Sequence, residues 1–322
     1  MWSKIRQLVS LTVSWYSFIY FYNLLNDLCQ GSQFIFVAYS NYMISPFRSV
    51  ACWLLEKIVY MFPEEYAREM KASVDGGNAC LFSDRAVGCT SIVAEDESGR
   101  ILHGRNLDYP MTELLKNLSV IVEFTRNNEI QYTGLTFAYY SGLMTGQKPF
   151  AYTFSSNARR TGWYIYTLLM EMYTGFRMPI GLGIRQMFEV AKTYNEALEY
   201  LKHIEMITPC YFVLGGTKSG EGVLLTRDRM NTVDVKQLNV KKNQWFIVQT
   251  NFDHWSPDED NRRTTAEIFL NEIKHANLDE DTLWSVLDHT PVRNNLTVTK
   301  TVMSAHTPAM LYRNTGIDDY YY

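Results

Sequence analysis

No excess of basic charge runs through this chain. Its 322 residues carry 30 Lys and Arg against 34 Asp and Glu, a formal net charge of -4. The cations are scattered without long runs, so the electrostatic footprint of a nucleic-acid binder is missing and no nucleic-acid partner is expected. Cysteine is scarce: five residues, Cys29, Cys52, Cys80, Cys89 and Cys210, with no Cys-x-x-Cys pair. Zinc spacing is therefore absent, and the odd count leaves at least one free thiol. The six histidines are dispersed, none paired at i and i+4 beside a glutamate, so no metal is expected. Internal repeats and low-complexity blocks are lacking too. The Gly-rich run Gly215-Gly216-Thr217-Lys218-Ser219-Gly220 lacks the Gly-Lys-Ser/Thr ending of a phosphate loop and leads into a strand pattern, so it is expected to be a hairpin turn.

What the chain does contain is apolar mass: 47% hydrophobic and 14% aromatic residues with only 20% charged, enough for a large core in one large or two modest domains. The chemistry concentrates in one stretch. Gly88-Cys89-Thr90-Ser91-Ile92-Val93-Ala94 and Arg100-Ile101-Leu102-His103-Gly104-Arg105-Asn106-Leu107-Asp108 flank an acidic turn ending in Gly99. Two strand-like runs around such a turn predict a β-hairpin, with Cys89 opening the first strand and Arg105 and Asp108 ending the second. A guanidinium near a thiol favours the reactive thiolate, and a carboxylate orients a neighbouring amine or imidazole. Taken alone, Cys89 reads as a small buried hydrophobe.

The whole string changes that reading. From Cys89 to Asp96 and from His103 to Pro110 it resembles the start of the mature catalytic subunit in the acid ceramidase and N-acylethanolamine acid amidase family. These are N-terminal-nucleophile cysteine hydrolases, related more distantly to bile salt hydrolases and penicillin V acylases. The resemblance implies an α+β fold, a four-layer αββα sandwich, with a helical N-terminal pro-segment as α subunit over residues 1–88 and a catalytic β subunit over residues 89–322. It also implies self-cleavage between Gly88 and Cys89. An internal amide nitrogen is not basic, whereas a free α-amine titrates near ~7.7–8.0 and accepts the thiol proton. Further resemblances lie at Thr250-Asn251-Phe252-Asp253-His254-Trp255, whose Asn is an oxyanion residue, and at Asp260-Asn261-Arg262-Arg263-Thr264, whose first Arg belongs to the site. The implied catalytic set is Cys89, Arg105, Asp108, Asn251 and Arg262, with no cofactor. A site Glu of the family corresponds to Ala158 in Asn157-Ala158-Arg159. Glu171 and Glu189 are nearby carboxylates that take over its role if any does.

Residues 7–26 carry no charge and follow Lys4 and Arg6, the pattern of a secretory signal or an uncleaved anchor. The sequons at Asn117 and Asn295 favour the secretory route, and the resemblance points to the lysosome. Helices are expected over Val50–Met70, Gly181–Ala191, Asn195–His203, Arg262–His275 and Asp279–Asp288. Strands are expected over Leu118–Thr125, Ile130–Phe137, Phe150–Ser156, Tyr211–Gly215, Gly222–Arg227, Gln244–Phe252 and Val298–Ser304, the last closing its sheet. Trp163–Phe176 is apolar almost throughout and is expected to line an acyl site, touch a membrane surface or lie in the core. The expected function is hydrolysis of a lipid amide, an N-acylethanolamine or alternatively a ceramide, by associated α and β fragments. A non-catalytic lipid-binding relative is the competing reading.

Overall fold

Asp96 reverses the chain at the turn on which the site depends. Its Oδ1 accepts from the backbone N–H groups of Ser98 and Arg100, each at 2.9 Å. Gly99 takes the left-handed φ of 85° that closes the turn, a conformation costly for residues with a Cβ. The computed structural model describes residues 64, 88–109, 112–138, 140–159, 180–206, 208–307, 310–314 and 320–321. The expectations for residues 7–26 and 163–176 lie outside them, as does that for 50–70 apart from residue 64. Among the described residues no helix is long and apolar enough to cross a membrane.

The hairpin consists of β1 (Gly88–Glu95) and β2 (Ile101–Asp108). Then come α1 (Thr112–Leu118), β3 (Ser119–Arg126), β4 (Glu129–Phe137), β5 (Thr145–Lys148) and β6 (Tyr152–Ala158). Helices α2 (Ile180–Val190) and α3 (Tyr194–His203) precede β7 (Cys210–Gly215), β8 (Gly222–Arg227), β9 (Thr232–Gln237) and β10 (Phe246–Gln249). Helices α4 (Arg262–Ile273) and α5 (Glu280–Asp288) lead to β11 (Thr297–Met303), β12 (Met310–Asn314) and β13 (Tyr320–Tyr321).

Seven strands, β3 to β9, form an antiparallel meander, and a six-stranded sheet has the order β10-β1-β2-β11-β12-β13. Both faces of β1 and β2 are covered, so all sixteen of their residues are buried. This explains why they show no polar face for water. Ile92, Ala94, Leu102 and Val302 meet Ala266, Leu270, Leu283 and Leu287 of α4 and α5. Val93 and Ile101, on the opposite face, meet Tyr211, Val213 and Leu224 of the meander. Phe154, Phe212 and Leu225 pack outward against Ile184, Phe188 and Leu201 of α2 and α3. Helices, sheet, sheet and helices therefore stack as the four αββα layers, each face held by burial of about 1.5–3 kcal/mol per large apolar side chain.

Several elements differ from the sequence reading: α1, β5, β12 and β13 were not expected, and β6 runs to Ala158 instead of ending at Ser156. β10 ends at Gln249, because the following residues leave the ladder to bond side chains of the site. β11 does not close its sheet: it pairs with β2 on one side and β12 on the other. The edge strand β9, whose exposed Val233 and Val235 alternate with polar neighbours, was not expected. The Gly215–Gly220 run is the turn between β7 and β8: Glu221 accepts the N–H groups of Thr217 and Lys218 at 2.9 and 3.0 Å.

Candidate active site

Register places the site. Gly88 pairs with Asp108, Cys89 with Leu107 and Ser91 with Arg105, so Cys89 and Arg105 share the face toward the meander while Asp108 takes the face toward α4. Cys89 is 2% exposed. Arg105 Nη2 donates to its Sγ at 3.4 Å, and Nη1 donates to the Met144 carbonyl at 3.2 Å. The Arg105 cation is buried, and no carboxylate stands within ion-pair distance of it among the described residues. Burial lowers its pKa, and proximity to Cys89 pulls it back. Burial likewise pushes the Cys89 thiol above its ordinary range, opposed by Arg105, reinforced by Asp108 and opposed again by Arg262. Burial thus favours the protonated thiol, and the two guanidinium groups favour the thiolate.

Arg262, in the first turn of α4, gathers the other face. Its Nη1 donates to the Cys89 carbonyl at 2.8 Å and stands 3.4 Å from Asp108 Oδ2, and its Nη2 donates to Asn251 Oδ1 at 2.8 Å. Asp260 holds the fork through Nε and Nη2 at 2.9 and 2.8 Å. Asp108 also accepts from Thr297 Oγ1 at 2.7 Å and Asn294 Nδ2 at 3.0 Å. Burial raises its pKa, and Arg262, Thr297 and Asn294 pull it down. Asn251 is fully buried. Its Oδ1 accepts from the Cys89 backbone nitrogen at 2.9 Å, and its Nδ2 donates to the Ala158 carbonyl at 2.8 Å. All five expected residues therefore meet in one cluster.

Gly88 is required by space: no left-handed φ occurs there. A Cβ would lie 2.8 Å from Asp108 Oδ2 and 3.4 Å from Arg262 Nη1, so a side chain would push apart the pair that flanks Cys89. Ala158 packs against an apolar cluster of Cys89, Leu107, Tyr109, Phe137, Met144 and Val298. Glu189 does not replace the carboxylate missing there. It accepts from the Tyr132 hydroxyl at 3.4 Å, and Tyr132 packs with Phe188 in the core beneath α2, on the other side of the meander from Ser91 and Arg105. Glu171 lies outside the described residues.

Two supports escaped the sequence reading. Arg159 grips Asp253 with two bonds, 2.7 and 2.9 Å, and Tyr211 donates to the same carboxylate at 2.7 Å. This fastens the Asn251 segment to the end of β6. Asn157 donates to the carbonyls of Gln249 and Thr250 at 2.9 and 3.2 Å. The signal for both lay in the distance between residues 157–159 and 249–253, which only topology closes. Among the described residues no cluster of metal-ligating side chains occurs.

A family model described as linear amide C–N hydrolases, choloylglycine hydrolase family, matches residues 89–280. The chain is 44% identical over 279 residues to the N-acylethanolamine-hydrolyzing acid amidase of Caenorhabditis elegans, covering 81% of this chain and 79% of that protein. It is 38% identical over 232 residues to the acid ceramidase of Homo sapiens, covering 67% and 59%. A solved structure of the Caenorhabditis elegans N-acylethanolamine-hydrolyzing acid amidase ortholog superposes with a TM-score of 0.65 at 50% identity, over 68% of this chain and 94% of that one.

Proposed function

Since the chain belongs to the choloylglycine hydrolase family of linear amide C–N hydrolases, we propose that it hydrolyses fatty acyl amides after cutting itself between Gly88 and Cys89. N-acylethanolamines are the preferred substrates, as the name of the 44% identical relative suggests; N-acylsphingosines are the alternative. The observation that carries this reading is the double hold on Cys89: its sulfur lies against Arg105 and its nitrogen on Asn251 Oδ1. A nitrogen fixed in this way becomes, once the peptide is cut, an oriented α-amine adjacent to the thiol. The family match also opens on Cys89.

The α-amine takes the thiol proton, and Sγ attacks the substrate carbonyl to form a C–S bond. The second Nδ2–H of Asn251, the one not bonded to the Ala158 carbonyl, donates to the developing oxyanion. The tetrahedral adduct collapses, the C–N bond breaks, and the amine departs with the proton held by the α-ammonium. Water, deprotonated by the same α-amine, then cleaves the thioester to release the fatty acid and restore the thiol. Arg105 favours the thiolate, while Asp108 and Arg262 hold the nitrogen side of the site. Residues 1–88 form the α fragment, which stays associated with the β fragment from residue 89. The lysosome, reached through the secretory route, is the proposed location, supported by the exposure of both sequon asparagines, Asn117 and Asn295.

Acid treatment of the purified chain, followed by amino-terminal sequencing of the large fragment, is expected to read Cys-Thr-Ser-Ile-Val. An electrophilic acyl probe is expected to label Cys89 in that fragment. Another start, or an uncut chain that hydrolyses acyl ethanolamides, refutes the mechanism; a folded, cut protein that takes no label favours the lipid-binding reading.

Ala158 is the observation behind that second reading, since a methyl group cannot titrate. Ala158→Glu places a carboxylate in the apolar cluster beside Cys89, close to a cation with no ion-pair partner there. It is expected to raise the rate of self-cleavage or turnover by roughly tenfold. Burial raises and Arg105 lowers the new group's pKa, so the gain grows as pH rises through it. Rates across pH 4 to 8 for both proteins check this, and a variant no faster at any pH ends the idea that the missing carboxylate limits the chemistry.

A further inference from the structure

A polar chain runs between the two sheets, beside the apolar packing of Val93 and Ile101. It links Thr153 Oγ1 to His103 Nδ1 at 3.0 Å, His103 Nε2 to Ser155 Oγ at 2.8 Å, Ser155 to Ser91 at 2.8 Å and Ser91 to Asn157 Oδ1 at 2.8 Å. All five residues are buried, His103 completely. The direction of every bond follows from its far end. Asn157 Nδ2 faces two carbonyls, those of Gln249 and Thr250, so its amide cannot be flipped and its Oδ1 must accept from Ser91. Ser91 then has no proton left for Ser155, which must donate to it. Ser155 in turn must accept from His103, fixing the neutral imidazole as the Nε2–H tautomer; Nδ1 is then an acceptor 3.0 Å from the Thr153 hydroxyl, whose other acceptor, the Gly215 carbonyl, is farther at 3.4 Å.

We propose that His103 is a positioning residue for the chemistry at Cys89, its single tautomer completing a one-way hydrogen-bond chain that steadies the end of β6 against the segment carrying Asn251. This rests on the amidase reading above for its substrate, though not for its geometry. The chain touches every strand that supplies the site. Ser91 lies two residues beyond Cys89 on the same face, and His103 lies two before Arg105. Thr153, Ser155 and Asn157 line β6, and Asn157 grips the two residues immediately before Asn251. Asn251 answers by donating to the Ala158 carbonyl at 2.8 Å, so Asn157, Ala158 and Asn251 form a closed brace around the nucleophile's nitrogen. With His103→Leu, Ser155 would lose its donor and be free to turn, and Ser91 would be free to choose between Ser155 and Asn157, weakening the hold on Asn157 Oδ1 while its Nδ2 stays on the two carbonyls.

A structural role alone would ask only for buried volume and would not care about direction. A fixed direction matters to a site whose nucleophilic nitrogen hangs on one amide oxygen. Neutrality is supported independently: burial and the neighbouring Arg105 cation push the His103 pKa down to about 3. The tautomer therefore survives acid that would protonate an ordinary histidine, and the brace holds over the same range.

The test uses the full chain with three substitutions. Gln at 103 offers an amide N–H to Ser155 and an amide oxygen to Thr153, restoring both ends of the link; Leu offers neither; Ser155→Ala cuts the chain at the next oxygen with minimal change in volume. Two readouts are taken: kcat and KM for an acyl ethanolamide per probe-labelled site, and the pH profile of Cys89 alkylation by iodoacetamide, which needs no substrate. The groups facing that thiol are Arg105, Asp108 and Arg262, and none is altered. His103→Leu and Ser155→Ala are expected to lower kcat by about tenfold to a hundredfold with KM nearly unchanged, as for a nucleophile displaced by a fraction of an ångström to one ångström. Both shift the alkylation profile, and His103→Gln returns both readouts toward wild type. An unshifted profile in Ser155→Ala and His103→Leu, or a folded His103→Gln no better than His103→Leu, overturns the proposal. If His103→Leu does not fold, Ser155→Ala and His103→Gln decide alone. A shifted profile in a protein whose wild type hydrolyses no acyl amide would leave the brace standing and sink the amidase reading instead.

Discussion

Cys89→Ala is expected to leave a folded chain that neither cuts itself nor hydrolyses an acyl amide, with turnover lower by on the order of 10^4–10^6-fold. The fold should survive because the thiol contributes little packing: it lies at one end of the apolar cluster formed by Leu107, Tyr109, Phe137, Met144 and Val298, and Ala keeps the β-carbon there. The backbone nitrogen still reaches Asn251 Oδ1, since that 2.9 Å bond belongs to the main chain. What disappears is the atom that forms the C–S bond, in both self-cleavage and turnover. Electrophoresis after acid treatment, beside substrate hydrolysis and a thermal melt, separates the outcomes. A cut chain would transfer the first step to another nucleophile. Residual hydrolysis within tenfold of wild type would remove Cys89 from the mechanism.

Arg262→Met is the second large effect, and it strikes stability and chemistry together. The guanidinium is 5% exposed and Asp108 2%, so removing the cation leaves a buried carboxylate without its charged partner. Breaking such a pair costs about 3–5 kcal/mol. The remaining donors to Asp108, Thr297 and Asn294, are neutral, so its pKa rises further and it gains a proton at higher pH. Sign follows directly: the variant's deficit is largest above that raised pKa, where Asp108 is charged and unpaired, and shrinks as pH falls and the carboxyl becomes neutral. Asn251 also loses the 2.8 Å bond that steadies its oxygen, so self-cleavage should slow even in the folded fraction. Urea unfolding of both proteins at pH 5 and 7 checks the magnitude. The double variant Arg262→Met with Asp108→Asn is expected to recover part of the loss, because it removes the orphaned charge; additive losses would mean the two side chains do not act as a pair.

The hairpin was legible because its signals are local: an acidic turn with Gly99, flanked by runs that could only be strands. From that turn the pairing of Ser91 with Arg105 follows by counting, and so does the approach of thiol and guanidinium. Asn251 and Arg262 were legible only through resemblance, since an Asn beyond a strand and an Arg at a helix start ordinarily face water. The four layers could not be read from pattern. Strands covered on both faces lose the polar alternation that announces a surface, and the continuously buried β1 and β2 look the same whether covered by helices or by another sheet. Asn157, Arg159 and Asp253 were invisible as a group for a related reason. Their partners are roughly ninety residues away, and no periodicity within either segment hints that β6 ends beside the loop after β10. The need for Gly88 was not legible at all: its backbone is ordinary strand, and it is the crowding by Asp108 and Arg262 that forbids a side chain.

The placement of β1 between β10 and β2 bears on how long such a protein lasts among other hydrolases. Exopeptidases that trim amino termini need a terminus they can draw out in extended form into a narrow cleft. The terminus created at Cys89 would instead begin inside a sheet, paired with Leu107 from its first residue and with Gln249 from its third. Drawing it out would mean breaking a ladder on both flanks beneath the cover of α4. If the chain is cut at Gly88–Cys89 as proposed, the new amine is shielded from aminopeptidases by the same pairing that positions it, and degradation of the cut protein would begin from its loops.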